Sequence, residues 1–210
     1  MDIKIKTNLT QEIICTLDAV KLKIGRDQHN KFLETLKKSD FLIRITKKTG
    51  LRWVEPLIKI KYSKEADFES PDTILIDYNR GSRAVSSAIH EAFHLMLRQV
   101  EWTENDVVKR IVLKYPELEN SPYGIAYKME QMFAYLLQNE IYQEIAKDLN
   151  FDASKDYWDM NYIVQSVIPY EFESPFLKKL VLAIIKVWNG PTRSRNIFKL
   201  IEEVDKELTE

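Results

Sequence analysis

The chain has 210 residues, 45% of them hydrophobic and 30% charged, which suits one large domain or two packed lobes around a cleft and excludes a disordered or fibrous chain. Lys and Arg number 31 against 32 Asp and Glu, so no overall positive field draws the chain to nucleic acid or to an anionic membrane. The single cysteine, Cys15, rules out an intrachain disulfide; in the apolar run Ile13-Ile14-Cys15 it reads as a buried structural thiol.

The opening residues, Met1 to Lys6, alternate charged and apolar side chains and do not resemble a secretory signal. Ile13 to Ile24 is open between strand and helix. A helix is predicted from about Asp27 to Lys38, with Phe32, Leu33 and Leu36 on its apolar side. Three β-branched, alternating segments read as strands: Phe41 to Thr46, Leu57 to Tyr62 and Thr73 to Tyr78. After Gly81 the pattern is almost wholly helical, broken at Pro116, Pro122, Pro169, Pro175 and Pro191. The apolar run Leu180 to Val187 is too short to span a bilayer, and the expected location is cytoplasmic. The order predicts an α+β protein. A sheet-plus-helix lobe covers residues 1–100 and a helical lobe covers 101–210.

The chemistry concentrates in one helix, predicted from Arg83 to Val100 after the turn Asn79-Arg80-Gly81-Ser82, with Ser82 as its N-cap. It contains His90-Glu91-Ala92-Phe93-His94. Two histidines four residues apart share a helical face and can reach one Zn²⁺ at about 2.0–2.1 Å, while Glu91 is rotated off that face and can serve as general base. Val85, Ala88, Ile89, Ala92, Phe93 and Met96 form an apolar stripe. The histidines project roughly 130° to 170° from its centre, as a pair facing a cleft would.

A catalytic zinc needs a third protein ligand. The remaining histidine, His29, lies upstream of the strands, so a carboxylate is expected. Glu101 is about 10.5 Å beyond His94 along a continuing helix, and Glu117 and Glu119 adjoin Pro116 in a loop. The helix predicted from Pro122 to Leu149 offers Glu130 and Glu140, both on or beside its apolar side, where an unpartnered carboxylate is costly. They are about 15 Å apart on a straight helix, so one ion cannot bind both.

The pairing of His90-Glu91-Ala92-Phe93-His94 with Glu130-Gln131-Met132-Phe133-Ala134-Tyr135-Leu136-Leu137 resembles the gluzincin-type zinc metallopeptidases. The resemblance covers about residues 72 to 145, and it implies a zincin-like fold with a helical glutamate completing the site. The Phe133-Ala134 pair and the following leucines then favour Glu130 over Glu140 as the third ligand. The 35 residues between His94 and Glu130 exceed the spacing in thermolysin-like members. By the same resemblance Thr73 to Tyr78 is the edge strand that aligns an extended peptide. Tyr127 is favoured over Tyr123 and Tyr135 as the oxyanion donor.

The expected activity is hydrolysis of peptide or protein substrates, with one zinc per chain, Glu91 as base, and no nucleic-acid or membrane partner. The rival expectation is a zinc-binding regulatory or interaction protein without proteolysis, for which an intact Glu91 would have no use.

Overall fold

A computed structural model of the chain describes residues 2–5, 13–18, 26–55, 57–63, 67–70, 72–77, 83–114, 124–154, 159–168 and 174–209. The predicted turn before the histidine-bearing helix, its Ser82 cap, Glu117, Glu119, Tyr123 and Trp158 lie outside these residues, as do the side chains of Cys15, His29 and Leu33. The described chain is mixed α+β and mostly helical. By their contacts its residues fall into two compact units: Met1–Gln99 with Leu137–Tyr157, and Val100–Leu136 with Trp158–Glu210.

The first unit holds a five-stranded mixed sheet. Its strands are β1 (Asp2–Ile5), β2 (Ile13–Asp18), β3 (Leu57–Ser63), β4 (Asp67–Ser70) and β5 (Thr73–Asp77), in the order β1-β2-β3-β5-β4. The segment left open between strand and helix is therefore a strand where it is described. β2 and β5 both run parallel to β3, with Ile60 opposite Ile74, while β1 and β4 pair antiparallel at the two ends. Side chains alternate across a strand, and Ile58, Ile60, Ile74 and Ile76 share one face and are fully buried. Lys59, Lys61 and Leu75, on the other face, are half-buried or exposed.

This order corrects one expectation. Thr73–Asp77 is not an edge strand, because β4 pairs along its outer side through Asp67↔Leu75 and Phe68↔Ile74. Of the two end strands, the one nearer the histidine-bearing helix in sequence is β4, four residues too short to show an alternation that stands out in the sequence.

Three helices complete the sequence-contiguous part of this unit: α1 (Arg26–Ser39), α2 (Phe41–Thr49) and α3 (Arg83–Gln99). α3 packs on β5, α1 and α2. α1 matches its predicted span, with Phe32 and Leu36 buried. α2 overturns the reading of Phe41 to Thr46 as a strand. Its buried residues are Phe41, Leu42, Ile45 and Thr49, spaced as on a helix rather than at every second position. β-branching lowers helix propensity by less than about 0.7 kcal/mol per residue, so burial of that face decides. Gly50 ends α2 in the left-handed region (φ 73°) and donates its N–H to the Thr46 carbonyl.

The second unit is helical. A 3₁₀ turn at Trp102–Glu104 leads into α4 (Asp106–Leu113), whose N-cap Asn105 accepts from the N–H groups of Val107 and Val108. α6 (Met160–Val167), α7 (Pro175–Trp188) and α8 (Ile197–Thr209) follow, with α8 packed against both α4 and α7. Asp205 on α8 is buried and ion-paired with Arg110 and Lys114. The long α5 (Ile125–Leu149) contributes its first half to this unit, where Phe133 meets Trp188, and its second half, from Leu137, to the sheet unit. Among the described residues no helix is long and apolar enough to cross a membrane.

Candidate metal centre

The site grows from a row on α3. Ser86, His90 and His94 stand at i, i+4 and i+8, so they lie on one stripe of the helix. The predicted division into an apolar stripe and a cleft-facing side does not describe this helix. Every residue from Ala84 to Leu97 is buried, with His90 8% and His94 1% exposed. The polar row is covered along with the stripe and needs partners inside the unit.

Those partners are present. The two Nε2 atoms converge to 3.0 Å, with ring centroids 4.7 Å apart and the ring planes at 66°. His90 Nδ1 lies 2.8 Å from Gln138 Oε1. An amide oxygen only accepts, so His90 Nδ1 donates to Gln138, and the hydrogen bond between the two Nε2 atoms takes its proton from His94, a proton that metal binding would displace. Gln138 Nε2 in turn donates to Ser86 Oγ. A tetrahedral ion bound at 2.0–2.1 Å by two nitrogens holds them about 3.3 Å apart, a few tenths of an ångström wider than the pair as it stands. The donor set thus fits two imidazole ligands of one zinc.

Glu91 follows His90 on α3 and is buried, 6% exposed. It stands about 100° around the helix from the histidine row, as the spacing predicts.

The remaining expected residues fall on α5. Glu140 is ion-paired with Lys48 on α2 at 2.5 Å, and Lys48 also binds Glu144 at 2.6 Å. Glu130 is buried in the first half of α5. Two residues earlier, Lys128 is buried too, and desolvation holds its ammonium pKa below the ordinary lysine value. Tyr127 is 37% exposed, its phenol oxygen accepting from Gln131 Nε2 at 2.9 Å. Among the described residues no three His, Cys, Asp or Glu side chains are grouped to hold a metal ion. The assembled part of the expected ligand set is the histidine pair.

Gln138 and Ser86 were missed by sequence reasoning, which searched α5 for carboxylates. The signal was there: Gln138 lies between Leu137 and Ile141 on an apolar helix, and a buried amide must find partners. Ser86 sits one turn before His90 in the same row. Comparison with protein-family models, with curated proteins and with solved structures gives no match.

Proposed function

We propose that the chain is a zinc-dependent peptidase with a zincin-like fold, in which His90 and His94 bind one Zn²⁺ and Glu130 is the third ligand that the sequence resemblance implies. The observation that carries the reading is the convergence of the two histidine Nε2 atoms, with His90 Nδ1 held by Gln138.

Zinc, when bound, supplies Lewis acidity toward a carbonyl oxygen and acidifies water to a pKa of about 7. The protein's own residues do the rest. Glu91 accepts the proton of the attacking water and delivers it to the leaving amine. Tyr127 donates its hydroxyl hydrogen to the developing oxyanion, which a phenol can do while accepting from Gln131. β4, the antiparallel edge, aligns an extended substrate by strand addition.

The test is elemental analysis of the purified protein. It should carry close to one zinc per chain, and His90→Ala and His94→Ala should lose it. Full zinc content in the double variant would remove the basis of the proposal.

A further inference from the structure

The near-neutral charge of the whole chain conceals an uneven distribution along it. No Asp or Glu lies between Glu173 and Glu202, whereas that stretch holds Lys178, Lys179, Lys186, Arg193, Arg195 and Lys199. With −1 on the chain as a whole, these six cations leave −7 on the remainder. The expectation of no membrane partner rests on the total, and a balanced total excludes a field over the whole chain but not a local one.

Helical spacing gathers the cations on one side of α7. Its core side is Phe176, Leu177, Leu180, Val181, Ile184 and Trp188, all buried. Lys178, Lys179, Leu182 and Lys186 are exposed and stand at i, i+1, i+4 and i+8, a single outward stripe. Leu182, 56% exposed, sits one turn after Lys178 and one turn before Lys186. The turn after α7 extends the charge. The Arg193 guanidinium stacks 4.4 Å from the centre of the Trp188 ring, which fastens it at the end of α7 without neutralising it. Arg195 and Lys199 are exposed, and Asn196 caps the N–H groups of Phe198 and Lys199, so the positive end of α8 lies in the same turn. Lys179 donates to a neutral carbonyl, that of Leu208, and keeps its charge; Lys186 is ion-paired with Glu207, which offsets one of the six.

We propose that this face, the outer stripe of α7 with the turn into α8, docks reversibly on an anionic lipid surface. The exposed leucine decides the kind of anion. A nucleic-acid backbone offers phosphates but no apolar layer, and the aromatic side chains of this stretch on which bases could stack, Phe176, Trp188 and Phe198, are buried or half-buried. An anionic bilayer offers headgroups to the cations and, just beneath them, an acyl boundary to Leu182, while the flanking lysine stems reach back to the headgroups. The stripe is also convex, which a planar, deformable bilayer accepts without a matching groove. Each Lys or Arg near such a surface contributes about 1 kcal/mol, or about fivefold in affinity. A face of this kind gives reversible binding and not permanent anchorage. The proposal is independent of the zinc-peptidase reading, since every residue it uses lies in the second unit and outside the histidine pair.

The experiment is co-sedimentation of the whole protein with vesicles of phosphatidylcholine containing about one-third phosphatidylserine, against phosphatidylcholine alone. The protein should bind the anionic vesicles, bind the neutral ones far more weakly, and release as salt is raised. Lys178→Gln combined with Arg195→Gln and Lys199→Gln should weaken binding about 100-fold. The control is Lys31→Gln combined with Lys37→Gln and Lys47→Gln, three exposed cations of the first unit. It removes the same net charge and should bind like the wild type. Leu182→Ala should weaken binding by at least about fourfold, the worth of one CH₂ group sunk into the bilayer. Circular dichroism of each variant shows that the fold is retained. No binding of the wild type to anionic vesicles would overturn the proposal, and so would equal losses in the two triple variants, which would show a general charge effect. Wild-type affinity in Leu182→Ala, or tighter binding to duplex DNA or to polyglutamate than to the vesicles, would overturn the assignment to a lipid surface.

Discussion

Replacing Glu140 by alanine distinguishes a structural carboxylate from a metal ligand. Lys48 on α2 reaches both Glu140 and Glu144, and Arg44, one turn earlier, reaches Glu144 and Asp148. Carboxylates at 140, 144 and 148 thus meet cations at 44 and 48, a ladder that holds α2 to the second half of α5. An exposed ion pair contributes about 0–1 kcal/mol, and breaking a buried one costs about 3–5 kcal/mol. Lys48 is 14% exposed, nearer the buried case, but Glu140→Ala leaves it Glu144 as a counter-charge. The expected loss is about 1–2 kcal/mol. For a chain of this size that lowers the melting temperature by about 2–8 °C.

Thermal unfolding followed by circular dichroism reads the loss, and zinc content should not change. Glu140→Gln combined with Glu144→Gln strands Lys48 and should cost about 3–5 kcal/mol, of which Lys48→Met restores part. Zinc lost in Glu140→Ala, or a double variant no less stable than the single, would refute the reasoning. Glu130→Ala is the counterpart: it should weaken zinc binding sharply while leaving the fold largely intact.

Glu91→Gln should keep the zinc and lower peptide hydrolysis by at least about 10²–10⁴-fold, the range for loss of a general base; metal loss would instead make Glu91 a ligand. Burial alone would raise the Asp205 carboxyl pKa, but hydrogen bonds and charge from Lys114 and Arg110 outweigh it and hold the pKa below the ordinary aspartate value. Its contribution to stability is therefore fully present above the unfolded carboxyl pKa of about 4 and is lost as pH falls through the lower folded value. The stability gap between wild type and Asp205→Asn, read by urea titration, should be constant near neutrality and narrow below about pH 4. Gly50→Ala puts a side chain in the left-handed region and should cost about 1–2 kcal/mol in the same assay.

Much of this architecture is visible in local patterns. The period-two runs at Leu57–Ser63 and Thr73–Asp77 and the long helix carrying both histidines follow from residue spacing alone. Phe41 to Thr46 misleads because Phe41, Ile43 and Ile45 mimic alternation. The deciding contribution comes from Leu42 and Thr49, whose burial depends on neighbours distant in sequence. The histidine pair is legible because helical spacing fixes it within one element. Its support is not, since Gln138 lies 48 residues from His90 and is an ordinary polar residue until the chain folds. The edge strand is hidden for a related reason: strand order is a property of pairing, and no single segment encodes its place in the sheet.

That strand order also constrains how the sheet can open. The chain runs from β3 to β4 and then lays β5 into the gap between them, so among the described residues the pairing of β4 is with β5. β5 keeps its partner β3 when β4 frays, but β4 keeps none when β5 leaves. Amide exchange in Asp67–Ser70 can therefore be as slow as in Thr73–Asp77 and no slower, because every opening that frees β5 also frees β4. The surface proposed for an incoming peptide is thus no better protected than β5, and a bound strand would slow its exchange by holding it from the outer side.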